Sequence, residues 1–84
     1  SVYMPDFIKI HQNDNVAVAL RTTPAGTVFE GVSAGAEIPQ GHKMALFPMK
    51  EQDQIVKYGF SIGHATTDIA AGDWVHTHNM ATNL

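Results

Sequence analysis

The chain has 84 residues, a net charge of −3 with only 5 Lys and Arg, and no cysteine. That length suits one small domain with a modest core, burying about 60–65% of the surface it exposes when unfolded. Sparse basic charge argues against nucleic acid as the main partner, the lack of thiols excludes disulfides and thiolate metal sites, and no apolar run nears the ~20 residues of a membrane span.

The opening SVYMPDFIKI has neither the charged start nor the long apolar stretch of a secretion signal, so a cytoplasmic protein is expected. FIKIH (Phe7–His11) alternates apolar and polar residues and predicts a strand. QNDN is a turn cluster in which Asp14 and Asn15 can bond nearby backbone N–H groups, unless His11 instead joins the other histidines. VAVAL (Val16–Leu20) reads as a buried strand, although Ala and Leu leave a helical turn open.

A spaced theme follows. TTPAGTVF (Thr22–Phe29), AEIPQGHKMAL (Ala36–Leu46) and TDIAAGDWV (Thr67–Val75) each run through small residues to Gly26, Gly41 or Gly72 and then toward the core. Glycine supplies the positive φ of a tight turn feeding a strand, and Pro24 and Pro39 pre-set two of these turns. KEQD (Lys50–Asp53) is a polar turn or a single helical turn, and IVKYGF reads as a strand ending at Gly59. No 3.6-residue apolar stripe persists over three turns, and no Asn-Gly hairpin signal occurs. The expectation is a mostly β domain over residues 1–84, built of short strands with isolated helical turns.

The histidines, 5 in all, carry the candidate chemistry. In DWVHTHN, His76 and His78 at i and i+2 would share one strand face, a workable pair of ligands for a transition metal that still needs a third. The plain alternative is a solvated strand end. GHK (Gly41–Lys43) offers an imidazole and an ammonium that could grip a carboxylate, yet strand alternation would send His42 and Lys43 to opposite faces. Tyr58 is expected half in the core with its hydroxyl satisfied. His64 follows Gly63, where a backbone can approach a ligand.

IKIHQNDNVAVAL, IPQGHKMAL, IVKYGFSIGHAT, DIAAGDWVHTHN and the closing TNL follow one another in the order and spacing of the N-terminal domain of altronate dehydratases. The chain also resembles galactarate dehydratases and the small subunit of sulfolactate sulfo-lyase. The resemblance runs from Phe7 to Leu84 and implies the SAF-type β-clip fold, a compact set of short, bent strands. It further implies a sugar-acid hydro-lyase that yields a 2-keto-3-deoxy acid, with Fe²⁺ or Mn²⁺ as cofactor and a larger catalytic domain or subunit as partner. Under it His42 and His64 are expected to be catalytic, Lys43, Tyr58 and Asn79 to bind substrate, and His76 and His78 to hold metal. A sulfo-lyase small subunit and a non-catalytic sugar-acid-binding or docking module are the alternatives, and self-association as a homo-oligomer stays open. The isolated chain is expected to be inactive.

Overall fold

The computed structural model describes residues 4–84, so the first three residues of the domain expected over 1–84 lie outside it. Strands β1 (Phe7–Ile8), β2 (Val16–Ala19), β5 (Lys43–Ala45) and β8 (Trp74–Val75) form an antiparallel sheet in the order β1-β2-β5-β8. Strands β3 (Val28–Phe29) and β4 (Val32–Ser33) make a small hairpin, and β6 (Gln54–Lys57), β7 (Phe60–Ala65) and β9 (Met80–Ala81) make a third sheet. The expectation of a mostly β fold holds. Among the described residues there is no helix, and hence none long and apolar enough to cross a membrane. One α-turn, in which His76 C=O accepts from Asn79 N–H and Met80 N–H, comes nearest to the isolated helical turns expected.

The central strands are buried on both faces. Ala17, Ala19 and Met44 join Phe7, Ala34, Ile38 and Leu46 in one core, while Val16, Ala45 and Val75 join Met49, Ile55, Ala65 and Ile69 in the other. Period-2 alternation therefore delivers Val16 to one apolar cluster and Ala17 and Ala19 to the other, with Val18 half-buried, and the strand reads as apolar throughout.

Four turns repeat one design: Pro24–Thr27, Pro39–His42, Lys50–Asp53 and Ala70–Asp73. Each is closed by a bond from the fourth residue's N–H to the first residue's C=O, at 2.9–3.2 Å. The third residue, Gly26, Gly41, Gln52 or Gly72, has φ between 79° and 92°, as a type II turn requires. Each turn also clasps a buried alanine. The third residue's N–H donates to the alanine C=O, and the alanine N–H donates back to the fourth residue's C=O. The partners are Ala34, Ala19, Ala65 and Ala45 in turn order. Isolated bridges Thr23–Ile38 and Met49–Ile69 tie the turns into two pairs. The sequence pattern displays three of these units. The fourth, in KEQD, is masked because Gln52 occupies the glycine seat at φ 79°.

Three expectations change. The buried strand expected over Val16–Leu20 ends at Ala19, and Leu20 is 43% exposed. The strand expected over Phe7–His11 is paired only at Phe7–Ile8. The run expected to continue to Gly59 is broken after Lys57 by a two-residue hairpin turn, with Tyr58 at φ 57° and Gly59 at φ 81°. Glu30 and Gly31, at φ 49° and 78°, make the same turn between β3 and β4. Both positive angles mark type I′ geometry, which a Glu-Gly or Tyr-Gly dipeptide advertises far less plainly than Asn-Gly.

Candidate functional site

Register brings the aromatic residues of the site together. Lys43 pairs with Val75 and Met44 with Trp74, so one step further along the two strands sets His42 against His76. Their rings stack with centroids 4.4 Å apart. Trp74 and His76, two residues apart on one side of the chain, lie nearly parallel at 8° with centroids 5.7 Å apart. The Trp74 indole Nε1–H donates to His42 Nδ1 at 3.1 Å. His78 tilts onto Trp74 at 5.1 Å. The result is three imidazoles gathered around one indole, at the rim of the core that holds Met44.

The His-x-His pair sits in a turn rather than on a strand. β8 ends at Val75, and the α-turn at His76 follows at once. Asn79, 5% exposed, holds that turn: its Oδ1 accepts from His76 N–H at 3.0 Å and its Nδ2 donates to Trp74 C=O at 3.0 Å. Both ends of the carboxamide of this residue, expected to bind substrate, are bonded to backbone of the turn that carries His76. Beside it, a groove of about 340 Å³ is lined by Thr67, Asp68, Asp73, Trp74, His78 and Asn79.

Electrostatics separate the group's members. Partial burial, together with the nearby charges of His42, Lys43 and His78, lowers the His76 pKa and favours its neutral form. Burial and the neighbouring Lys57 ammonium lower that of Lys43. His42 precedes β5, so the strand alternation expected to separate it from Lys43 does not extend to it, and the Lys43 charge reaches His76. Lys57 and Trp74 were not among the sequence-derived candidates. A signal for Trp74 was present, since it lies at i−2 from His76.

The remaining candidates lie in other settings. On β7, His64 Nδ1 is 2.7 Å from Asn83 Oδ1, and the Asn83 Nδ2 donates to Gln54 Oε1 and Ser61 Oγ. Its hydrogen bond thus belongs to a polar cluster on the third sheet and not to the Trp74 group. Tyr58 stands on the β6–β7 turn, 46% exposed, with the Lys57 ammonium 5.0 Å from its ring, which corrects the expectation that it sits half in the core. His11 does not join the other histidines. It packs beneath Gly59, its Nδ1 accepts from Asn13 N–H, and Asp14 bonds both its own turn and the far hairpin, accepting from His11 N–H and Gly59 N–H.

The donor set does not by itself fit a divalent ion. Among the described residues no three His, Asp or Glu side chains converge as ligands. His42 is spent on the indole through Nδ1, and its ring is stacked on His76 rather than aimed with it at a common point. His76 and His78 remain as two imidazoles, one ligand or more short of a site.

Comparison with known proteins agrees with the pattern of motifs. Residues 5–83 match the family model described as the altronate/galactarate dehydratase SAF domain. The chain is 49% identical over 85 residues to the altronate dehydratase of Bacillus subtilis (strain 168), covering 96% of this chain and 17% of that protein. It is 45% identical over 82 residues to the altronate dehydratase of Escherichia coli (strain K12), again covering 17% of that protein. It is 45% identical over 51 residues to the (2R)-sulfolactate sulfo-lyase subunit alpha of Paracoccus pantotrophus, covering 61% of this chain and 76% of that subunit.

Proposed function

Because the chain belongs to the altronate/galactarate dehydratase SAF-domain family, we propose that it is the part of a sugar-acid dehydratase that helps to hold and orient an acidic substrate. A much larger catalytic domain or subunit completes the enzyme, in keeping with the 17% of the altronate dehydratases that the chain spans. The observation that carries this reading is the gathering of His42, His76 and His78 on Trp74, with the Lys43 charge in reach.

Dehydration of a sugar acid removes the proton α to the carboxylate and expels the β-hydroxyl, and the enol product becomes a 2-keto-3-deoxy acid. The substrate is an anion and the developing enediolate carries more negative charge, so cationic and N–H donors stabilise the step more than the ground state. Lys43 and Lys57 supply positive charge in an otherwise acidic chain. His76, kept neutral by its neighbours, is an imidazole free to accept a proton near neutral pH. His64 on β7, its ring held by Asn83, is a second imidazole that the larger domain could recruit, and the exposed Tyr58 is a contact available to substrate or partner. An Fe²⁺ or Mn²⁺ ion in the complete enzyme would draw its ligands chiefly from outside this chain.

The test is to join the chain to its larger domain, supply Fe²⁺ or Mn²⁺ anaerobically, and assay 2-keto-3-deoxy acid formation from a panel of aldonates and aldarates. Product from altronate or galactarate is expected. An intact assembly that turns over none of the panel would refute the reading. The 76% coverage of a sulfo-lyase alpha subunit favours a second reading, a separate small subunit acting on a sulfonated hydroxy acid. Release of sulfite from sulfolactate would select it.

A further inference from the structure

We propose that Trp74 is a positioning residue that locks His42 in one tautomer, so that His42 presents a fixed N–H donor to an oxygen of the bound acid. This deepens the substrate-holding role proposed above and rests on it for the identity of the ligand, although not for the tautomer itself.

An indole nitrogen can only donate a hydrogen bond. With Trp74 Nε1 at 3.1 Å from His42 Nδ1, that ring nitrogen must be the acceptor and therefore carries no proton. The proton of the neutral ring is then on Nε2. Protonation of Nδ1 would break the bond to Trp74 and leave two N–H groups facing each other. The ring has little freedom to escape by flipping. His76 stacks on it at 4.4 Å, and the backbone at His42 is held by the Pro39–His42 turn and by Ala19 N–H donating to its C=O.

An imidazole held in this way has Nδ1 occupied by the indole N–H and carries its own N–H on Nε2. It can polarise a carboxylate or enediolate oxygen without itself changing charge, which matches hydrogen-bond stabilisation of a developing oxyanion. The function expected of His42 from the sequence, a catalytic imidazole, becomes that of an oxygen-binding donor, and the indole sets its direction.

The experiment is nitrogen NMR of the protein labelled with ¹⁵N-histidine, with His42 assigned by its loss in His42→Gln. Nδ1 is expected at an unprotonated shift and Nε2 at a protonated one near neutral pH. Trp74→Phe, which keeps an aromatic ring in the stack but removes the N–H, should move both nitrogens toward averaged shifts. A protonated Nδ1 in the unaltered protein would overturn the proposal, and so would shifts unchanged by Trp74→Phe. If the variant fails to fold, the unaltered protein decides, because the Trp74 Nε1–H must then show slowed exchange together with the Nε2–H tautomer. In the complete enzyme, Trp74→Phe should lower kcat about tenfold, and a kcat left unchanged would overturn the positioning role. Activity on no sugar acid at all would instead refute the function proposed above, leaving the tautomer standing on its spectrum.

Discussion

Replacing Gly41 and Gly72 separately by alanine measures what the second glycine does beyond forming a turn. Both sit third in a type II turn, at φ 81° and 92°, so both substitutions force an L-residue into a left-handed conformation. That strain costs about 1 kcal/mol. At Gly41 an added Cβ meets nothing within 4 Å, and the cost should end there. At Gly72 the Cβ would lie 2.2 Å from Ser33 C=O, a backbone atom that cannot rotate aside. The Ser33–Gly35 segment must retreat, which threatens the bond from Gly35 N–H to Gly72 C=O. Overpacking adds about 1–3 kcal/mol and an unsatisfied buried polar group about as much again. The expected loss is about 3–7 kcal/mol for Gly72→Ala against about 1 kcal/mol for Gly41→Ala. A domain of this length is stable by only about 4–12 kcal/mol, so the first variant should be close to unfolding at 37 °C. Urea unfolding followed by the fluorescence of Trp74, the single tryptophan, compares the two directly. Losses within about 0.5 kcal/mol of each other would refute the close-packing argument, since a surface-like substitution has that spread.

Gln52 fills the glycine seat of the third turn at φ 79°, so Gln52→Gly should raise stability by about 0.5–1 kcal/mol in the same urea assay. Asp14 is buried. Burial alone would raise its pKa, but the backbone N–H groups of Gly59 and His11 and their neighbours outweigh it, and the carboxyl stays below its ordinary value. A lowered pKa means that the ionised form stabilises the fold above the ordinary carboxylate range and that this support is lost as pH falls through the lowered value. Asp14→Asn should therefore cost about 2 kcal/mol near pH 7 and show a smaller fall in urea midpoint below pH 4 than the unaltered protein. His76→Ala with His78→Ala should leave the circular dichroism spectrum unchanged and abolish lyase activity in the complete enzyme, and full activity would remove both from the mechanism.

The parts of the fold that were legible in the sequence are those where residue type and geometry coincide. Gly26, Gly41 and Gly72 announce their turns because few other residues tolerate the angle, and Val16, Ala17 and Ala19 announce burial because the two faces of their strand meet a core, although the Leu20 that ends the run is exposed. Gln52, Glu30 and Tyr58 adopt the same left-handed region without advertising it, so one turn and two hairpins were hidden. The histidine cluster was half legible. His76 and His78 stand out by spacing, but His42 reaches them only through the pairing of β5 with β8. Pairing between strands some thirty residues apart is set by tertiary packing, not by local pattern. Asn79 and His64 look like ligand residues by type, and only the hydrogen bonds reveal that one braces a turn and the other belongs to a separate cluster.

Strand β5 bonds to β2 on one side and to β8 on the other, which constrains when the chain can fold during synthesis. By Leu46 a nascent chain already holds β1, β2 and β5, together with Ala34 and Ala19 and the turns that clasp them. It does not yet hold β8, and Met44 and Ala45 then line an open edge of apolar backbone able to pair with another copy of the same intermediate. Closing that edge waits for Trp74 and Val75, nearly thirty residues later. The domain should thus complete its sheet only once almost all of it has left the ribosome, and truncations that end before β8 should aggregate rather than fold as smaller domains.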